Sequence, residues 1–286
     1  MNTKNKVALV TGASSGIGEA IAQQLSKAGY KVYGTSRRGG GEVGQRTFKM
    51  LPLDVTQDAS VDAVVRQLIQ LEGRIDLLVN NAGFGVAPAG AEESSIAQAQ
   101  AIFDTNFFGM VRMIRSVVPH MRRQGSGRII NIGSVVGFLP SPYMALYSAT
   151  KHAVAGYSES LDHELRTQGI RVSVVEPPYI NTPFEANSMQ PDKPLDMYRD
   201  IRAGMEQRLK EGIAGAEGPE VVADIVLKAA TAAQPKTHYA PGMASRLRLL
   251  RRFAPASLLD AGVRKDLRLD AQAAGHLARH PKQHSI

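Results

Sequence analysis

The sequence predicts a doubly wound α/β fold, a parallel sheet with helices on both faces, and three observations carry that prediction. Between residues 7 and 177, short runs rich in Val, Ile and Leu alternate with longer segments of helical period. Parallel strands need such crossover helices to return to the same edge of the sheet. A glycine-rich stretch joins the first apolar run to the first helical segment. The length, 286 residues, exceeds the usual domain of about 100–150 residues but is common for a single doubly wound core. Residues 1–286 are therefore read as one domain.

In chain order, the first strand is expected at 7–11, the first helix at 16–29 and the second strand at 31–35. A strand at 48–55 precedes a helix at 58–72, and another strand follows at 75–80. A helix around 102–123, a strand at 128–134, a helix at about 147–168 and a strand at 171–177 complete the alternation. No internal repeat or low-complexity tract interrupts it. Two stretches depart from the rhythm: 178–215, polar and punctuated by proline, is read as a mobile lid, and 241–286 as a basic C-terminal extension.

Cysteine is absent, which removes disulfides, thiolate nucleophiles and Cys-ligated metals and fits a cytoplasmic protein. No metal is expected, and any redox chemistry must come from an organic cofactor. There is no run of 18 apolar residues, and the first apolar stretch, 7–10, is too short for a signal or a span. A soluble, unprocessed protein is expected. The net charge of +8 is uneven: from residue 241 onward nine Lys/Arg face three Asp, which leaves +2 on the preceding 240 residues. That tail is read as a solvated surface, because no groove-reading or base-stacking motif accompanies it and nucleic acid is not an expected partner. Leu247, Leu249, Leu250 and Phe253 alternate with arginines there, as in interfacial helices. Membrane-surface contact thus stays open, although a helix folded over the entrance to a binding site is the preferred reading.

The stretch TGASSGIG, residues 11–18, falls at the first strand-to-helix turn. Gly12, Gly16 and Gly18 permit a tight turn and let the backbone approach a pyrophosphate at the positive end of the helix, with Ser14, Ser15 and Ile17 sharing the contact. A plain glycine-rich turn is the bland alternative, and the strand-to-helix context weighs against it. An NAD-binding unit places a carboxylate about 20 residues further on, for the adenosine ribose. Here the second strand ends GTSRRGGG. A carboxylate would repel a 2′-phosphate, whereas a guanidinium grips one with two charge-assisted hydrogen bonds. NADP(H) is therefore expected over NAD(H), with Ser36, Arg37 or Arg38 as phosphate ligands. Arginines that merely close a surface loop are the competing reading.

Further motifs follow: LDVT at 53–56, NNAG at 80–83, Asn106 in FDTNFFGM, Ser134 after GRIINIG, and Tyr147 with Lys151 in YSATK. Residues four apart on a helix share a face, so Lys151 lies one turn from Tyr147. A tyrosine with the ordinary pKa near ~10 is a weak acid–base group at neutral pH, and bringing it to about 7 takes ~4 kcal/mol. A nearby ammonium favours the phenolate in that direction. Alone, such a pair would be a solvated helix face. Ser134 shifts the weight, because it ends a strand on the side where open α/β sheets bind ligands. In this order the motifs, spread over about the first 185 residues, resemble the short-chain dehydrogenase/reductase family.

That resemblance implies a Rossmann-type fold and a catalytic set of Asn106, Ser134, Tyr147 and Lys151. Asn106 would kink its helix and hold a water that links Lys151 to solvent, completing a proton relay to Tyr147. Asp54 and Val55 would receive the adenine, Asn80, Ala82 and Gly83 would line the adenosine side and steady the sheet, and Pro177, Ile180 and Thr182 would cup the nicotinamide. Tyr147 and Lys151 would touch the cofactor as well. Two departures stand out: Pro178, where the family usually has Gly, leaves the loop's path open, and Gly133 replaces a common Ser. For the substrate, Ser134, Phe138, Tyr143, Tyr147 and Phe184 are the candidates, with Leu139, Pro140, Met144 and Met189 adding apolar surface. The tail loosely resembles the steroid and retinol dehydrogenase branch. Family members usually form dimers or tetramers through the helices that carry Asn106 and Tyr147. The expected function is NADP(H)-dependent interconversion of a carbonyl and a secondary alcohol, with a sizeable apolar ketone or aldehyde as substrate. An NADP(H)-binding sensor without turnover is the alternative, and an intact Ser, Tyr, Lys and Asn argues against it.

Overall fold

The first strand-forming run, VALV, is buried at all four positions, which only a sheet covered on both faces requires. The computed structural model describes residues 6–39 and 46–266. Its strands are β1 (Val7–Val10), β2 (Lys31–Ser36), β3 (Lys49–Pro52), β4 (Leu77–Asn80), β5 (Gly127–Ile132), β6 (Ile170–Val175) and β7 (His238–Tyr239). They form a seven-stranded sheet in the order β3-β2-β1-β4-β5-β6-β7, each neighbour parallel. The order reverses between β1 and β4, and that switch point opens a crevice at the carboxyl ends of the strands.

Side-chain alternation along the strands divides the core in two. Val7 and Leu9 of β1 pack with residues of α2 (Asp58–Glu72), α4 (Gly109–Gln124) and α5 (Ala145–Leu165). Ala8 and Val10 point the other way, to α1 (Gly16–Lys27) and α7 (Glu220–Thr231). Two polar devices fasten the layers. Asn80 Nδ2 donates to Asn131 Oδ1 across β4 and β5 (2.9 Å), and Asn131 Nδ2 donates to Ser158 Oγ on α5 (2.8 Å). Asp162, wholly buried on α5, accepts from Arg171 Nε and Val172 N of β6 at 2.8 Å each and pairs with Arg166.

The helix expected from residue 102 starts earlier. Ser95 Oγ accepts from Gln98 N (3.2 Å) and caps α3 (Ile96–Phe103), which runs through a π turn, Asp104–Phe108, into α4. The two stretches outside the rhythm carry α6 (Arg199–Ala214), α8 (Met243–Phe253) and α9 (Ala256–Asp266). In α6 only Met205 and Leu209 are buried, so its sequence shows almost no apolar stripe. Of the C-terminal extension, Arg268, Asp270, Arg279 and Lys282 lie outside the described residues. Among the described residues no helix is long and apolar enough to cross a membrane.

Candidate active site

A cleft of about 520 Å³ lies over the switch point. Its floor is the turn between β1 and α1, where Gly12 and Gly16 adopt φ of +66° and +59°. A Cβ on Gly18 would stand 2.2 Å from the Gly12 carbonyl oxygen, so no larger residue fits there. Ser15 caps α1 without a side-chain bond to the helix, which leaves first-turn N–H groups facing the cleft with the positive end of the helix dipole. Thr11 Oγ1 accepts from the N–H groups of Asn81 and Ala82, and Asn81 Nδ2 donates to the carbonyls of Thr11 and Gly12, all at 3.0 Å. Asn81 thus locks the glycine turn to the end of β4. It was overlooked in the sequence, although it is the second Asn of NNAG; Asn80 is turned into the sheet and does not line the cleft.

Gly12, Ser14, Ser15, Gly16, Ile17, Gly18, Ser36, Arg37, Asp54, Val55, Ala82 and Gly83 all line the cleft, and Arg38 does not. Asp54 is committed to its own turn: Thr56 N and Oγ1 donate to Oδ1 at 2.9 and 2.7 Å. The Thr56 N–H, with Thr56 Oγ1 and the Arg37 and Arg112 charges, keeps its carboxyl below the usual range. A glycine turn closed to a Cβ at Gly12 and Gly18, open helix N–H groups and a guanidinium beside the end of β2 fit a dinucleotide.

Beyond β5, a Cβ on Gly133 would meet Val174 Cγ1 at 2.8 Å, a physical reason for glycine where a serine was expected. Ser134 follows, half-buried, its Oγ accepting from Val136 N at 3.3 Å. The first turn of α5 brings the Tyr147 hydroxyl to the side of the cleft that holds Ser134. Lys151 lies one turn further on, 8% exposed, with Nζ 5.6 Å from the Tyr147 ring centroid and donating to the Ile132 carbonyl at 2.9 Å. Burial lowers its pKa to about 8. The Tyr147 phenol is pushed above its ordinary value, first by burial and then by the Glu185 carboxylate, with the Ser134 hydrogen bond opposing. This departs from the expectation that Lys151 lowers the phenol: the ammonium is turned to a backbone carbonyl, and the acting charge is a carboxylate with no warning in the motifs.

Asn106 sits in the π turn, where Oδ1 accepts from Phe84 N (3.0 Å) and Nδ2 donates to Phe84 O (2.9 Å) and Thr150 Oγ1 (3.4 Å). It faces a cavity of about 10 Å³ shared with Thr11, Asn80 and Lys151. Asn80 Oδ1 lacks a hydrogen-bond partner. One water centre needs about 10–15 Å³ and two to four polar partners, so the cavity is of the right size and polarity.

The remaining walls come from the loop after β6. Pro177 O accepts from Val135 N and Asn181 N donates to Glu217 O, each at 2.9 Å. Pro177, Pro178, Ile180 and Thr182 line the cleft, and Thr182 stands 3.4 Å from where a Cβ on Gly16 would be. The Phe184 ring lies 5.9 Å from that of Tyr147, and Tyr179, Met144, Met189 and Ile213 extend the apolar lining. Two substrate candidates fall outside it. Phe138 lies under the Arg248 guanidinium of α8, 5.3 Å from ring centroid to Cζ. Tyr143, at φ +63°, packs 6.4 Å from the Tyr198 ring. The stretch 178–215 is also pinned at mid-length. Glu93, fully buried, accepts from Gly90 N and Leu195 N at 2.7 Å each and pairs with Arg202, and Met189 exchanges backbone bonds with Gly85 and Ala87.

Known proteins resemble this chain in sequence and fold. The family model described as short chain dehydrogenase matches residues 6–193. A 3-ketodihydrosphingosine reductase of Bacteroides thetaiotaomicron is 44% identical over 182 residues, covering 64% of this chain and 66% of that protein. Retinol dehydrogenase 8 of Bos taurus is 35% identical over 266 residues, 82% of this chain and 83% of its own. A short chain dehydrogenase/reductase from Burkholderia phymatum, solved in complex with NAD, superposes with a TM-score of 0.75 at 26% identity, covering 88% of this chain and 95% of that one. With the glycine turn, the Ser134–Tyr147–Lys151 cluster and the seven-stranded sheet in the same chain, the protein belongs to the short-chain dehydrogenase family.

Proposed function

We propose that this oxidoreductase uses NADP(H) and reduces a sizeable apolar ketone or aldehyde. The observation that carries the reading is the Ser134 and Tyr147 hydroxyls converging at the mouth of a dinucleotide cleft whose outer walls are apolar. When bound, NADPH supplies a hydride from its nicotinamide ring. Ser134 donates a hydrogen bond to the carbonyl oxygen and so favours the negative charge that grows there. Tyr147, held as the neutral phenol, hands that oxygen its proton as general acid. Lys151 would hold the ribose and pass a proton inward, with Asn106 and the small cavity beside it as the path to solvent. Phe184, Met144 and Met189 exclude water around the reacting carbonyl.

NADP(H) selectivity is supported by Arg37 in the cleft and by Asp54 being engaged with Thr56. A hydrogen bond to a charged group contributes about 1.5–3 kcal/mol, so NADPH is expected to bind about 10- to 100-fold more tightly than NADH. The two lipid-acting names among the relatives support an apolar substrate. Stretch 178–215 serves as a lid hinged around the Glu93 anchor, and pairing through α4 and α5 gives a homo-oligomer.

The test follows NADPH absorbance with ketones and aldehydes from small aliphatic to steroidal and retinoid, for wild type and Tyr147→Phe. Turnover lost in the variant, with NADPH binding kept, supports the reading. Equal turnover in both removes Tyr147 from the acid role and counts against the mechanism, and tight NADPH binding without turnover on any member favours a sensor.

A further inference from the structure

Among the described residues, eleven large apolar side chains are exposed, and five of them, Met243, Leu249, Leu250, Phe253 and Leu258, lie on α8 and α9. Their spacing is that of a single face: Arg246, Leu249, Leu250 and Phe253 recur at three- and four-residue intervals. The opposite face is used up. Ala244 is fully buried, and Arg248 reaches Glu176 with Nη1 2.8 and 2.7 Å from the two carboxylate oxygens. Leu249 is 60% and Phe253 74% exposed, values that a helix kept only for packing would not show.

The charge around this face decides what covers it. Residues 243–265 hold six cations, Arg246, Arg248, Arg251, Arg252, Arg264 and Lys265, against one carboxylate, Asp260. Arg246, Arg251, Arg252 and Lys265 are exposed, and Arg252 lies over the Phe253 ring at 5.5 Å. A second copy of the chain would bring this cationic face against itself. An extended nucleic acid would leave the leucines and Phe253 facing water. An anionic lipid surface satisfies both parts, taking the apolar side chains below the headgroups and the guanidiniums among the phosphates.

We propose that the outward face of α8, continued by the start of α9, is a docking surface that seats this protein on an anionic lipid bilayer. The seat is at the cleft's end of the molecule. Glu176, which holds Arg248, immediately precedes Pro177 of the cleft wall. A Cβ on Gly242, just before α8, would stand 3.1 Å from Glu217 Oε2, and Glu217 O accepts from Asn181 N of the same wall. The docking stands independently of turnover and of the substrate's identity.

The experiment is co-sedimentation of the full chain with vesicles of phosphatidylcholine alone and of phosphatidylcholine mixed with phosphatidylglycerol. Wild type, Leu249→Glu/Phe253→Glu and Arg246→Glu/Arg251→Glu are compared, with NADPH binding and the thermal midpoint as controls of folding. The expected result is binding to the mixed vesicles at least about tenfold tighter than to the neutral ones, weakened by salt and lost in both variants while the controls hold. Binding to neither vesicle, or binding unchanged in the variants, overturns the proposal. So does binding lost only when residues 267–286 are removed, which moves the lipid contact to another segment, or a wild-type dimer in solution that Leu249→Glu/Phe253→Glu dissolves, which assigns the face another occupant.

Discussion

Arg248→Ala should cost the fold measurably, although Arg248 is far in sequence from every motif. Its partner Glu176 has a side chain only 1% exposed, while the Arg248 side chain is 34% exposed. Removing one member of a fully buried ion pair costs about 3–5 kcal/mol, because the other charge is left without compensation. Here the guanidinium is partly in water, so about 2 kcal/mol is expected after discounting for solvent screening. For a domain of this size that is roughly 4–8 °C in thermal midpoint. Differential scanning fluorimetry on wild type, Arg248→Ala, Glu176→Gln and the double variant reads both the loss and its origin. Once Glu176 is neutral, Arg248→Ala should cost about 0.5 kcal/mol or less, leaving the lost stacking on Phe138 as the remainder. A shift under about 1 °C for Arg248→Ala, or an equal loss in the Glu176→Gln background, would refute the reasoning.

Asp162 has its pKa lowered to about 2 through Arg171, Val172 N and Arg166 against opposing burial. Its contribution, about 2 kcal/mol at ~1.36 kcal/mol per unit, is therefore full above the ordinary carboxylate pKa and lost as pH falls toward 2. Urea unfolding between neutral and acid pH should show the gap between wild type and Asp162→Asn closing, and parallel curves would contradict this. Lys151 runs the other way: with a folded pKa of about 8 against 10.5, the folded chain sheds a proton that the unfolded one keeps. Stability of wild type relative to Lys151→Met should thus rise by about 3 kcal/mol between those values, and a flat difference would reject the buried-lysine assignment. Asn81→Ala removes two hydrogen bonds at the glycine turn, worth about 1 kcal/mol each, and should weaken NADPH binding by roughly 10-fold or more in a fluorescence titration. Gly18→Ala, with no room beside the Gly12 carbonyl, should abolish it.

What could be read in the sequence followed from burial on both faces. Strands such as VALV and RVSVV are near-continuous apolar runs because helices cover both sides, and their order carried the switch point and its glycine turn. Two-residue β7 is too short for any periodicity, and α6 is anchored by two apolar residues and a handful of polar contacts. Pairings between distant residues left no trace either: Arg248 and Glu176 are 72 positions apart and Arg202 and Glu93 are 109 apart. Asn81 is within reach of the sequence, since it stands inside the NNAG motif, and only the opposite directions of two adjacent side chains, Asn80 at the end of β4 and Asn81 just past it, separate them. Glu185 had no such marker. Its effect on Tyr147 depends on a fold-back that polar, proline-rich sequence does not encode locally.

That carboxylate ties the proton affinity of Tyr147 to the position of the segment that carries it. Glu185 follows Phe184 on the segment pinned at Glu93, so seating this segment on Tyr147 surrounds the phenol with low-dielectric wall and adds a like charge. Both effects tighten the phenol's grip on its proton. On the proposed reaction, the neutral phenol keeps its proton until a stronger base, an alkoxide, arises beside it, whereas starting from the alcohol requires the phenolate to form first. On that reaction, Glu185→Gln removes a like charge beside the phenolate and should move the onset of alcohol oxidation to lower pH.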